Sequence, residues 1–426
     1  MVGHVLRRIA TSLTPDLRPY RESRDYRLLA AGALVTGLGT QASLVALPYQ
    51  VYVTTHEAVL VGLLGLVELV PLAAASLFGG ALADRYDRRR LLLGYQLLLV
   101  AVAGALAAAS FLGTPPLGLL YLLAGALAGA GQLERVARAS ITPNVVRREN
   151  MRAAISNMFG LMQLTMVVGP AVGGLLIAVW NVQAAYTVDA ASCLGMAIAA
   201  GMMSPQAPIG AEHEPVFRSI KNGLRFVGGE RALLGSFAID ILAMTFGMPR
   251  VLFPVMSLTL YHAGAAGTGA LFAAVSAGAT VAALTTGWLS HARWLGRITI
   301  GAVVIWGLAI AAAGTMPSLA FAALLFAVAG AADSVSAVCR STISQSLTPD
   351  HMRGRMSSVF SLVVAGGPRL GDVEAGTVAS LSSTRFSVVS GGLACVAGVF
   401  VIMLLFPQLA AYDGDEVEAR VAAVAA

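Results

Sequence analysis

The stretch GGALADRYDRRRLLLG, residues 79–94, decides the fold. Within it, Asp84, Arg85, Asp87, Arg88, Arg89 and Arg90 stand almost side by side, and apolar sequence runs unbroken on either side. A charged knot of this density cannot sit in a hydrocarbon layer. Each flank, however, reaches the roughly 20 apolar residues that a helix needs to cross one. The knot therefore reads as a tight loop between two spanning helices, its arginines holding it on one side of the membrane.

Working outward, similar apolar runs lie near 28–52, 58–83, 90–112, 117–140, 153–179, 183–203, 233–258, 266–289, 297–315, 318–341, 356–380 and 384–407. This predicts an all-α membrane protein of twelve transmembrane helices. Composition agrees: of 426 residues, 57% are hydrophobic and 12% charged, against about 25% charged in soluble domains. The 46 glycines suit close packing of membrane helices. A polar stretch divides the runs six and six. The expected organisation is a tail over 1–27, a bundle over 28–203, a linker over 204–232, a bundle over 233–407 and a tail over 408–426.

The formal charge of +6 would suggest nucleic acid in a soluble protein. Here the basic residues sit in short breaks, so topology explains them better. With an even number of helices both ends share one side. All but Arg250, Arg369 and Arg385 of the 28 Lys and Arg fall on that side or at adjoining helix ends. Cytoplasmic loops retain such residues, so both termini are expected in the cytoplasm of a cell-membrane protein. The N-terminus lacks a cleavable signal pattern. Cys193, Cys339 and Cys395 all lie in apolar runs and suggest neither a disulfide nor a metal site.

The halves repeat one another. MRAAISNMF (151–159) and MRGRMSSVF (352–360) share M-R-x-x-x-S-x-x-F, followed by GPAVG (169–173) and GPRLG (367–371). Both pairs fall in the fifth helix of a half, which points to two pseudo-symmetric six-helix bundles. Transporters commonly use such repeats, with a binding site at their interface. Gly169, Pro170 and Gly173, and their counterparts Gly367, Pro368 and Gly371, permit a bend or tight packing there.

On these residues the chain resembles the major facilitator superfamily over roughly 26–407. Gly80, Leu82, Asp84, Arg85, Arg88 and Arg89 match its loop signature G-x-L-x-D-R-x-G-R-R, with Asp87 in place of the second Gly. That exchange, LPYQVY (47–52), GLVELVP (65–71) and GPAVGG (169–174) look like the twelve-helix drug/proton antiporter branch, with its macrolide-efflux proteins and enterobactin exporters. Thr165 replaces the upstream Gly of the fifth-helix motif, and no Arg lies in the outer half of helix 4. The resemblance implies that the loop forms a breakable latch. Asp84 would accept hydrogen bonds from a helix start in the other half, Gly80 would allow close approach, and Arg85 and Arg88–Arg90 would pin the loop. A plain topology anchor is the alternative.

Charges inside the bilayer are costly and therefore informative. They are Glu68, Glu134, Asp189, Asp240, Arg250, Asp333, Arg369, Asp372 and Glu374. Arg369 and Asp372, three apart, can neutralise each other, as can Glu134 and Arg138. Asp189 and Glu374 can reach interfacial water. Glu68, Asp240 and Asp333 lack an evident partner on their own helix. Carboxyl groups in low dielectric that load and release protons are the minimum apparatus of a proton-driven carrier; Arg250 can serve them as counter-ion or touch an anionic cargo.

Other motifs carry less. GLGTQA (37–42) interrupts a spanning run, so it is no dinucleotide loop, and no P-loop, metal spacing or nucleophile set is visible. The expectation is a monomeric, cofactor-free, non-enzymatic exporter of small amphipathic molecules (drugs, siderophores or secondary metabolites) in exchange for protons. A proton-linked importer and a non-transporting membrane sensor or assembly protein are the alternatives.

Overall fold

In the computed structural model, residues 16–207, 216–349 and 352–414 are described; the outer parts of both expected tails and the centre of the linker lie outside them. The first bundle holds α1 (Arg24–Thr55), α2 (Ala58–Arg85), α3 (Arg88–Phe111), α4 (Leu117–Val145), α5 (Met151–Trp180) and α6 (Val182–Met202). The second holds α7 (Arg231–Phe246), continued by Phe253–Thr259, then α8 (Gly264–Thr285), α9 (Leu295–Thr315), α10 (Leu319–Leu347), α11 (Arg353–Leu381) and α12 (Thr384–Leu405). Among the described residues, 11 helices are long and apolar enough to cross a membrane. The remaining span, α11, is equally long at 29 residues but carries Arg369, Asp372 and Glu374.

Local chemistry sets the ends. Ser23 accepts a hydrogen bond from the Tyr26 amide (3.1 Å) to start α1, and the left-handed His56 stops it. Ser383 caps α12 in the same way. Such caps satisfy amides that the first helical turn leaves without partners.

Three elements differ from the sequence reading. Helix 7 is broken: the chain leaves α7 at Gly247, passes through a 3-10 turn at Arg250–Leu252 and resumes at Phe253. Pro249 and Pro254 supply no amide hydrogen for a continuous ladder. The expected linker contains an amphipathic helix, Val216–Gly229, whose Val227 packs with Leu233, Phe237 and Met356. Helices α4 and α10 run on to Val145 and Leu347, past the expected ends at 140 and 341. That extension places Arg340, which stands at the end of its expected run, about two turns inside its helix.

Each half packs within itself, α1 on α5 and α6 and α2 on α4, matched by α7 on α11 and α12 and α8 on α10. The repeated GPxxG motif has the same task in both halves. A Cβ on Gly173 would lie 2.7 Å from the Ala42 Cα of α1. One on Gly367 would lie 2.9 Å from the Met244 Cβ of α7. Both fifth helices remain continuous through their prolines, so the motif serves tight packing rather than a break.

The halves meet along two seams, α2 with α11 and α5 with α8. The face that carries residues 16 and 414 is here the terminus face, the opposite one the far face. Near the far face the seams close to backbone contact. A Cβ on Gly376 would lie 3.0 Å from the Gly62 Cα, and one on Gly174 would lie 2.8 Å from the Gly269 Cα. The Val59 amide donates to Ser380 Oγ at 2.9 Å across the first seam. Among the described residues, a Cβ on Gly80 or Gly160 would touch nothing within 4 Å.

Candidate functional site

The charged loop is built chiefly into its own half. Asp87 caps α3 by accepting from the Arg90 amide at 2.9 Å, and its second oxygen accepts from the Gln206 amide at 2.8 Å. The Arg88 guanidinium donates to Ser140 O (3.0 Å) and Asn144 Oδ1 (3.1 Å) of α4 and to Ala83 O (3.2 Å) of α2. Arg89 donates to Ala200 O (3.0 Å) and to Gly201 O at the end of α6. These arginines cap the carbonyl ends of α2, α4 and α6, where the helix dipole favours a cation. Arg88 and Arg89, expected to pin the loop, do so through contacts within their own half, and among the described residues a Cβ on Gly80 would meet nothing within 4 Å. Arg85 stacks over the Tyr86 ring at 5.8 Å, Leu82 accepts the Tyr86 amide at the end of α2, and Asp84 is engaged.

The interior charges form two clusters. In the first, Glu68 of α2 and Arg369 of α11 pair at 2.7 Å, and Asp372 lies 3.7 Å from the same guanidinium. Of the ion pairs with both partners described, Glu68–Arg369 alone joins the two halves. It sits directly below the far-face seal: a Cβ on Gly65 would lie 2.9 Å from the Asp372 Cβ. At about 1.5 Å per residue, Arg369 is roughly 24 Å along α11 from its terminus-face end. The mutual neutralisation expected of Arg369 and Asp372 is therefore secondary to a cross-seam pair.

The second cluster lies within the C-terminal half. Arg340 Nη2 of α10 is 2.8 Å from Asp240 of α7 and 4.0 Å from Asp333, about two turns earlier on the same face of α10. Arg340 Nη1 also donates to Ser336 Oγ at 3.0 Å. Asp240 and Arg340 are 2% and 5% exposed, so this pair is shut away from water. Glu68, Asp240 and Asp333 thus all have cationic neighbours. In each cluster two carboxyl groups share one guanidinium.

A family model described as a transmembrane secretion effector matches residues 14–422, nearly the whole chain. The chain belongs to that family of the major facilitator superfamily. Among its relatives, the enterobactin exporter EntS of Citrobacter koseri is 29% identical over 374 residues, covering 86% of this chain and 88% of that protein. EntS of Shigella boydii is 30% identical over 371 residues, covering 85% and 87%. Solved structures with the same fold include the nucleoside transporter NupG (TM-score 0.74, 11% identity, 90% and 99% covered). Another is a bacterial homologue of the lysosomal transporter Spinster in an inward-facing, unoccupied conformation (TM-score 0.69, 14% identity, 92% and 99% covered). The proteins of this family are multi-pass membrane transporters, and the twelve helices and paired bundles described above are their architecture.

Two further arginines of this family member lie beside the clusters. Arg250 sits at the break of helix 7, exposed although enclosed by helices, and lines a small cavity with Asp333, Phe253, Trp306 and Phe326. Arg135 of α4 is exposed too; its neighbour Glu134 pairs instead with Arg138 at 3.0 Å. Among the described residues neither the Arg135 nor the Arg250 side chain has an ion pair within 4.0 Å or a hydrogen bond, although Glu134 acts on the first and Asp333 and Asp372 on the second through charge. Sequence reading did not single out Arg135 and Arg340 because both were counted with the basic residues at helix ends adjoining the breaks. Arg135 followed from the spacing: once Glu134 and Arg138 pair at i and i+4, the arginine between them faces elsewhere.

Asp189 corrects another expectation. It is buried among Ser43 (2.5 Å), Thr40 (3.4 Å) and Cys193 (3.6 Å) where α1 meets α6, away from interfacial water. Three hydroxyl or thiol donors on one carboxyl group mark a structural tie. Glu374 is half-buried on α11.

Proposed function

We propose that this chain exports a siderophore-type small molecule from the cytoplasm in exchange for protons, by alternating access between residues 28–203 and 233–407. The terminus face is then cytoplasmic, in line with its arginines, and with the far face sealed the carrier opens inward. The carrier works as a single chain with no cofactor.

The observation that carries this reading is the Glu68–Arg369 pair at 2.7 Å beneath the far-face seal. While Glu68 is ionised, the pair ties α2 to α11 and holds the outer side shut. A proton on Glu68 removes the charge that Arg369 attracts. An anionic group on Arg369 displaces Glu68 by competition. Either event releases the tie, and the empty, deprotonated carrier keeps it. That is the logic exchange requires, since a carrier that switches empty dissipates the gradient. Asp372 supplies a second acceptor that retains Arg369 during the exchange. The identity to enterobactin exporters supports the cargo class.

The test is flux in proteoliposomes of defined orientation, with enterobactin as probe and an imposed pH gradient. Export predicts proton-driven movement from the terminus face to the far face. Proton-driven movement in the opposite direction makes the protein an importer. Absence of flux across a panel of siderophores and amphipathic drugs sinks the carrier reading.

A further inference from the structure

Helix 7 breaks beside a small cavity in the C-terminal half. Aromatic rings shut much of that cavity off. Phe253 follows the break, Trp306 comes from α9 and Phe326 from α10, each 1% exposed. Among the described residues that line it, Arg250 and Asp333 alone carry charge. Phe326, Gly330 and Asp333 stand at i, i+4 and i+7 on one face of α10. The helix that seals the cavity therefore also brings a carboxyl group to it.

The two charges do not meet directly. Asp333 and Arg250 form no ion pair within 4.0 Å, and Asp333 Oδ1 is buried without a hydrogen bond from the protein. Arg340 Nη2, at 4.0 Å, is too distant to supply one. A buried acceptor left in this way is costly, and proteins meet the cost with an internal water where a site is polar and roomy enough. The cavity offers about 10 Å³, the room that one water takes. Two hydrogen bonds in series through a water span about 5–6 Å, which suits two groups that share a cavity and miss direct contact.

We propose that this cavity is a single-water site, in which the water accepts from the Arg250 guanidinium and donates to Asp333 Oδ1. The water completes a chain that runs from Arg250 at the break, through Asp333 and Arg340, to Asp240. It fastens the 3-10 turn Arg250–Leu252 to α10. The same turn packs against α2 and α11, the two helices of the first seam. The turn thus stands between the seam and the second cluster, and the water is its link to the cluster. The site follows from the fold and stands whether or not the chain is a carrier.

Hydroxyl-radical footprinting by X-ray radiolysis tests it on the full chain in lipid nanodiscs, since a bound water is split in place and oxidises the side chains beside it. Trp306 should be oxidised several-fold faster than Tyr186, although they are 1% and 0% exposed. Met248, which lines the cavity, should likewise outpace the buried Met196. Ala329 is also in the lining, and Ala329→Val, which fills the space, should bring Trp306 down to the Tyr186 rate. Arg250→Met removes the donor and should do the same. Asp333→Asn keeps an acceptor oxygen and should retain the labelling. Trp306 no faster than Tyr186 in the wild type overturns the site. So does fast labelling that survives both Ala329→Val and Arg250→Met, because bulk solvent would then be its source. If one of these two variants does not fold, the other decides.

Discussion

Arg369→Gln should reduce proton-driven flux by about 100-fold or more while the protein stays folded. The substitution removes the cation that Glu68 and Asp372 share at 2.7 and 3.7 Å. Two effects combine. The seam loses its cross-half tie, so switching no longer depends on whether Glu68 is ionised. The cargo also loses the cation for which it competes, and a charge-assisted contact in a water-poor site is worth about 1.5–3 kcal/mol. Residual switching would be uncoupled, so counterflow without a gradient should survive better than uphill transport. Glu68→Gln should uncouple in the same sense and still bind cargo. Flux and counterflow assays on the same proteoliposome preparation separate the two variants. Equal loss of both activities in Glu68→Gln would assign that residue to packing.

Arg340→Gln should produce the largest loss of stability among the interior substitutions. Arg340 is 5% exposed, and Asp240, 2% exposed, has it at 2.8 Å. Removing one member of a buried pair costs about 3–5 kcal/mol, because the remaining charge has no compensation. Here two carboxyl groups are stranded, Asp240 and Asp333. The defect should therefore be greatest in alkaline buffer, where both are ionised. It should shrink as the pH falls, because protonation of the stranded acids removes the uncompensated charge. Adding Asp240→Asn and Asp333→Asn should restore most of the lost melting temperature. Thermal unfolding of the single and triple variants across pH checks each step. A pH-independent loss would mean that Arg340 acts through packing alone.

The fold was legible in the sequence because its two controlling signals are local. A run of about 20 apolar residues and a loop full of arginine leave little choice in a bilayer. The repeat was legible for the same reason, since Gly173 and Gly367 mark positions where one backbone rests on another helix. The site was only half legible. Glu68, Asp240 and Asp333 stood out as costly charges, but partnership between helices is a three-dimensional fact. Arg340 looked like the end of its span at 341, whereas α10 continues to Leu347, because no periodicity separates a polar last turn from a loop. The roles of Arg88 and Arg89 were hidden as well. Their partners are backbone carbonyls on α2, α4 and α6, and every residue type carries a carbonyl. The break in helix 7 was written in Pro249 and Pro254, two prolines that also fit a continuous, kinked span.

The central claim is that Glu68 and Arg369 lock the far-face seal until Glu68 takes a proton. Spin labels at Glu57 and Ser382, exposed on opposite halves at the far face, report the opening as a distance distribution. The three native cysteines are buried, which favours labelling at the introduced sites. In wild-type protein the short distance should dominate in alkaline buffer and a longer one should grow in acid. With Glu68→Gln the longer distance should be present at both. A wild-type distribution that ignores pH, or a Glu68→Gln carrier that stays closed throughout, would contradict the account.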